Sequence, residues 1–290
     1  MTGKNAQIVA HKSFQPDILA IQSAVMIGAV GNDAAMPVYT HFRHKAARLD
    51  TVRLAAHPGF GPGFTDITDA KVLAALLSDF ANLQKDAMPK AVQTGYFGAA
   101  DQIFPVADFI LTSQKESDIF YLFDPVLGDA GKLYVDQNIA DAMQAKLLPL
   151  ANIITPNAFE LGLLAGQPVI SLADTEKAGQ QILSHQPRLQ AVFATGINAS
   201  SGAGEGKIAD MLITRDAAIP FVHESKEKGI SGSGDVLSAL VLANYLKDSD
   251  LAKACGSASK TVNQMIKKTN SPLGIDVANL LWQLPPSQEL

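Results

Sequence analysis

The chain contains a single cysteine, Cys255, among 290 residues. No internal disulfide can form and no set of thiolate ligands can be assembled, which excludes a disulfide-stapled scaffold and a cysteine-based metal cluster. Positive charge is also scarce. The 23 Lys and Arg face 28 Asp and Glu, a formal net charge of −5, so there is no electrostatic footprint for nucleic acid or an anionic membrane. No apolar run approaches the ~18 residues that cross a bilayer. The strongest stretch, Leu237 to Leu246, is interrupted by Ser238, Asn244 and Tyr245. Met1 to Phe14 are polar and mixed in charge, without the apolar core of a secretory signal. Internal repeats, low-complexity tracts, charge blocks and Gly/Ser/Pro linkers are missing as well. A cytoplasmic protein is expected, one domain over residues 1–290, with neither nucleic acid nor membrane as partner.

What is present alternates regularly. Apolar stretches of strand length fall at 17–23, 49–55, 91–97, 118–126, 152–157 and 189–196, separated by segments of helical period. Strands this apolar are covered on both faces, which implies a mostly parallel sheet between helix layers. After Gly196 the pattern changes: GKIADMLITRD and AIPFVHES read as two successive strands about a turn at Asp216–Ala217, an antiparallel extension of one sheet edge. The fold class expected is α/β, doubly wound. Cys255 lies on the apolar stripe of the last helix with Leu251, Ala258 and Val262, where a packed thiol is the natural reading.

In such a sheet, ligands gather beyond the carboxyl ends of the strands, where helix N-termini present free N–H groups. Ser231-Gly232-Ser233-Gly234-Asp235 precedes the helical run DVLSALVLANYL; its glycines permit a tight turn whose amides can converge on an anion, although Ser233 or Asp235 can equally serve as a plain helix cap. Gly202 to Ile208 imitates a Walker A loop but has Ser201 where a glycine is required and Ile208 in place of the metal-binding hydroxyl. Asp124-Pro125-Val126-Leu127-Gly128-Asp129 ends an apolar strand with two carboxylates about a turn, a hard-cation arrangement or a local Asp-Pro turn. Asn157 and Glu160 in TPNAFE have the spacing of a capping box, from which the Glu could still reach a metal through water. His41 and His44 share a helical face without an evident third ligand, and His11, His185 and His223 carry no local signal; His57 opens a glycine-rich loop after a strand.

Taken together these motifs are more specific. Ile21-Gln22-Ser23 with Gly28, Val30, Gly31 and Asn32, then Gly95-Tyr96-Phe97-Gly98, DPVLGD at 124–129, ITPNAFE at 154–160 with LLAG at 163–166, and GSGD at 232–235 form an ordered series that resembles the pyridoxal kinase family of the ribokinase-like superfamily. The resemblance extends over residues 16 to 268. It implies phosphorylation of the 5′-hydroxymethyl group of pyridoxal, pyridoxine or pyridoxamine by ATP with Mg²⁺, a monovalent cation being a further candidate. It makes Asp235 the catalytic aspartate, with Gly232, Ser233 and Gly234 as the anion hole. It also implies that Asp124, Thr155, Asn157 and Thr195 line the nucleotide site, that Asp129 and Glu160 support Mg²⁺ directly or through water, and that Ser23, Val30, His57 and Tyr96 form the vitamer pocket. A homodimer is implied too.

The chain departs from the family at its substrate loop. Where the family often has Asn-His-Thr-x-Tyr-Gly, this chain has Ala56-His57-Pro58-Gly59-Phe60-Gly61, losing an amide and two hydroxyls, so the vitamer ranking is left open; Pro58 and Pro62 also stiffen an expected lid. The alternative readings are a hydroxymethylpyrimidine kinase of the same fold and a binder of nucleotide and vitamer without turnover.

Overall fold

The computed structural model describes residues 15–199, 205–224, 229–271 and 273–277. His11, the Met1 to Phe14 segment and residues 202–204 of the Walker-like stretch lie outside these. Among the described residues the main strands are β1 Ile18–Ile27, β2 Ala46–Ala56, β3 Thr65–Ile67, β4 Ala91–Thr94 and β5 Phe120–Phe123. After a small hairpin of β6 (Gly128–Asp129) and β7 (Lys132–Leu133) come β8 Ile153–Ile154, β9 Ala191–Asn198, β10 Lys207–Ile213 and β11 Ala218–Glu224. Nine of them form one sheet in the order β11-β10-β9-β8-β5-β4-β1-β2-β3. The six from β2 to β9 pair in parallel. β10 is antiparallel to both β9 and β11, pairing Ile213 with Ala218 across the expected turn. At the opposite edge β3 adds an antiparallel strand on β2; three residues behind a glycine-rich loop are too few to show a period in the sequence.

The helices are α1 Asn32–His41, α2 Ala70–Gln84, α3 Ile103–Glu116, α4 Gln137–Lys146, α5 Ala158–Ala165, α6 Leu172–His185, α7 Ser233–Asp248 and α8 Leu251–Lys268. One face of the sheet packs on α2 to α6 through Leu77, Ile110, Met143, Leu161 and Ile182. The other packs on α1, α7 and α8 through Val38, Leu240 and Val262. Val236 to Ala243 are buried without interruption, so α7 is the helix covered all round, consistent with a sequence that is apolar there except for Ser238. Each fully buried aliphatic or aromatic side chain in these layers contributes about 1.5–3 kcal/mol. Cys255 is buried on the inner face of α8 as a packing residue.

Chain order runs outward from β1 in both directions, toward β2 on one side and β4 on the other. The switch point therefore lies between the carboxyl ends of β1 and β4, where an open α/β sheet leaves a crevice. Ser23 and Gly95 stand at that gap.

Candidate active site

Beside Ser23 the strand register slips: Gln22 pairs with Asp50 but Ala24 with Arg53, so β2 carries an extra residue there. Such a bulge bends the strand end and re-aims its side chains. The turn into α1 is fastened by Asn32, whose amide donates to Asp50 Oδ1 at 2.8 Å, to Leu49 O at 3.2 Å and to Gln22 O at 3.3 Å. Asp33 Oδ2 accepts from Val25 N at 2.7 Å. Gly31 is the N-cap with φ 54°; a Cβ there would lie 2.2 Å from Ser23 O and 2.6 Å from Ser23 Oγ. This close approach sets Ser23 (5% exposed) and Val30 (8% exposed) against the start of α1.

A second helix start meets the first. Gly232 is the N-cap of α7 with φ 83°, and a Cβ there would fall 1.8 Å from Ala29 O. The elbow Gly232–Ser233–Gly234 thus lies directly on the β1–α1 loop, and Ile275 N, from the segment after α8, donates to Ser231 O at 3.1 Å. Asp235, in the first turn of α7, is half-buried; its carboxylate accepts from the Gly31 amide and from its own. Burial raises its carboxyl from 3.8 to about 6, against those two hydrogen bonds. Two helix N-termini therefore converge on one carboxylate, a place where the positive ends of both helix dipoles favour an anion.

Along the sheet the next strand ends carry the other candidates. Asp124 follows β5 and Thr155 follows β8, with Asp124 N bonded to Thr94 O at 3.0 Å and Thr155 N to Phe123 O at 3.2 Å. Burial, then the charges of Glu160 and Asp235, push the Asp124 carboxyl well above the ordinary range, opposed by the Ser238 hydroxyl and by Thr155. The Thr155 hydroxyl is buried beside the Asp124 carboxyl, so both polar groups stand together at this strand end. Asn157 and Glu160 form the capping box their spacing predicts, with Glu160 N to Asn157 Oδ1 at 3.0 Å and Asn157 N to Glu160 Oε2 at 2.9 Å. Glu160 Oε1 also accepts from Leu127 N and Gly128 N at 3.0 and 3.3 Å. Burial still pushes the Glu160 carboxyl up to about 8. Asp129 is exposed and accepts from Ala130 N at 2.7 Å.

Thr195 joins the same row. Thr195 N donates to Pro156 O at 2.9 Å and the residue bridges to Asn157, because β9 carries an extra residue opposite Asp210. Asp210 Oδ1 accepts from Gly196 N at 3.1 Å, an amide otherwise left over at the irregularity, while its Oδ2 takes the Ser259 hydroxyl at 2.6 Å. Asp210 left no sign in the sequence, since a polar residue in one of two strands added at the sheet margin reads as solvent-facing.

His57 caps the short turn Pro58–Phe60, its Nδ1 accepting from Gly59 N at 3.1 Å, and burial lowers its basicity. Leu273 lies against Gly59 and Gly274 near Ala29. A cleft of about 370 Å³ opens here, lined in part by Gly28, Asp33, Phe60, Leu273 and Asp276. Tyr96 packs on the cluster that faces α2 to α6, and burial followed by the charge of Asp136 raises its hydroxyl. Among the described residues no group of three or more His, Cys, Asp or Glu side chains could hold a metal; His44 instead bonds Ala243 O at 2.9 Å.

An open, mostly parallel sheet whose glycine elbow and aspartate stand over the switch point defines an α/β kinase of ribokinase-like fold. The family model for phosphomethylpyrimidine kinase matches residues 66–278. A pyridoxine/pyridoxal/pyridoxamine kinase of Bordetella bronchiseptica is 28% identical, over 87% of this chain and 89% of its own length. The crystal structure of pyridoxal kinase from Entamoeba histolytica superposes with a TM-score of 0.86 at 26% identity, covering 95% of this chain and 98% of that one. The Leishmania donovani pyridoxal kinase in complex with ADP and pyridoxamine superposes with a TM-score of 0.81 at 26% identity, covering 93% and 96%. The chain belongs to the phosphomethylpyrimidine kinase family and, within it, to the pyridoxal kinases.

Proposed function

We propose that this chain phosphorylates the 5′-hydroxymethyl group of pyridoxal, pyridoxine or pyridoxamine with ATP. The observation that carries the reading is the meeting of two helix N-termini, at Gly31 and Gly232, on the Asp235 carboxylate at the sheet's switch point. Phosphoryl transfer requires positioning and charge neutralisation more than covalent chemistry. Asp235 orients the alcohol and takes its proton. The elbow of Gly232, Ser233 and Gly234 receives the charge on the transferring group. Asp124, Thr155, Asn157 and Thr195 line the nucleotide side, while Ser23, Val30, His57 and Tyr96 border the vitamer.

The donor set fits Mg²⁺ shared between water and phosphate rather than an all-protein cage, since carboxylates are concentrated at this end while Glu160 is already engaged by three amides. Asp129 and Glu160 would hold the ion, Glu160 through water; when bound, it neutralises phosphate charge. A monovalent cation remains a candidate for the same reading. Among the described residues no helix is long and apolar enough to cross a membrane, and the reading places a single-domain enzyme in the cytoplasm. It also carries a homodimer, for which Met26, Ile27, Phe64 and Ile67 offer exposed apolar surface.

ADP release measured with each vitamer and with hydroxymethylpyrimidine tests the function. Turnover of at least one vitamer is expected. Turnover of the pyrimidine alone would assign a hydroxymethylpyrimidine kinase instead, and thermal stabilisation by pyridoxal without any ADP would leave a binding protein. A second expectation concerns Asp210: its replacement by alanine removes the acceptor for Gly196 N and loosens the strand end that carries Thr195. The Michaelis constant for ATP should rise several-fold and stability fall by about 1–3 kcal/mol, read by steady-state kinetics and denaturant titration. An unchanged constant would remove Thr195 from the nucleotide site.

A further inference from the structure

Beneath the crevice, four polar side chains from separate elements are buried in one line. Tyr39 of α1, Gln93 of β4 and Ser238 of α7 are fully buried, and Asp124 is 5% exposed. The Tyr39 hydroxyl donates to Gln93 Oε1. Gln93 Nε2 donates to Ser238 Oγ at 3.1 Å, and Ser238 Oγ donates to Asp124 Oδ2 at 2.8 Å. Two helix carbonyls compete for the single serine proton, Gly234 O at 2.9 Å and Asp235 O at 3.3 Å. The Asp124 oxygen is the nearest of the three acceptors, and the amide arriving from Gln93 polarises the serine O–H toward it. Every donor in the line therefore points the same way, ending on Asp124.

The surroundings make this arrangement costly unless it acts. Tyr39 and Leu240 belong to an otherwise apolar cluster with Ala20, Val38 and Leu122, where hydrocarbon side chains would pack with no polar group to desolvate. The line also joins two parts of the site. Ser238 lies one turn beyond Asp235 on α7, so its bond to Asp124 ties the strand end after β5 to the helix that presents the elbow.

We propose that Tyr39, Gln93 and Ser238 are positioning residues that fix the Asp124 carboxylate, through a one-way hydrogen-bond chain, at the phosphate end of the nucleotide site. This rests on the kinase reading above. A chain of donors in series has a signature that separate structural contacts lack: cutting it next to Asp124 makes the upstream link irrelevant.

The experiment is a double-mutant cycle of Ser238→Ala and Tyr39→Phe. Ser238→Ala should raise the Michaelis constant for ATP about tenfold and Tyr39→Phe about threefold, with the double variant no worse than Ser238→Ala alone. The constant for the vitamer should stay within about twofold throughout, and Ser238→Thr, which keeps the hydroxyl, should restore most of the loss. Multiplying effects in the double variant, or lower melting temperatures with unchanged constants for ATP, would overturn the proposal. Wild-type turnover is measured first. If it is absent the kinase reading fails, and the same cycle is read as Mg·ADP affinity by calorimetry: non-additive loss supports the chain, additive or no loss refutes it.

Discussion

Asp235→Asn should lower kcat by about 10²–10⁴-fold while leaving nucleotide affinity within a few-fold, the range expected when a positioned proton acceptor is lost. Asparagine keeps the size of the side chain and one acceptor for the Gly31 amide, so the elbow persists; what disappears is the group that takes the alcohol's proton. The same residue sets a pH dependence. Its carboxyl is raised from 3.8 to about 6 because burial disfavours the charged form, and only that form accepts a proton. The rate should therefore be nearly constant above pH 7 and fall as pH is lowered through about 6. Rates measured from pH 5 to 8, with ADP affinity measured in parallel, check both points. A loss of less than about tenfold in kcat would remove Asp235 from the role of base.

Gly232→Ala should reduce kcat/KM by about 10²–10³-fold, the loss associated with one misplaced anion-hole donor, and lower the melting temperature as well. A Cβ at this position sits 1.8 Å from Ala29 O on a backbone with φ 83°, so the elbow and the β1–α1 loop have to separate, and left-handed backbone adds about 1–2 kcal/mol for any other residue. Gly234→Ala is the informative contrast. A Cβ there meets nothing within 4 Å, so the melting temperature should hold while activity still falls, because the added methyl occupies space next to the amides that face phosphate. If Gly234→Ala retains full activity, the elbow does not cradle the nucleotide.

The main lines of the fold were legible because buried parallel strands and amphipathic helices leave strong periods, and the antiparallel extension was announced by two strand-like runs about Asp216–Ala217. The two-residue β8 was not foreseen at its true length: Thr155 and Asn157 leave the ladder to bond Phe123 and Thr195, a consequence of tertiary pairing. The capping box of Asn157 and Glu160 was visible as a spacing, but the two further amides from Leu127 and Gly128 that fill Glu160 Oε1 arrive from a loop some thirty positions earlier in the chain. Asp235 was found through its glycines. The supports behind the site were not: Gln93 sits in an apolar run and Ser238 in an apolar helix, and a lone polar residue in a core segment shows its role only when its partners are in place.

The amide of Ile275 holds the carbonyl of Ser231, and the side chains of Ile275 and Val277 are buried against α1 and α7. A chain emerging from the ribosome can therefore complete its sheet and most of its helices before the anion-binding turn acquires its last fastening. A chain cut before residue 273 should therefore keep its sheet and helices yet lack this fastening, and should be folded but inert.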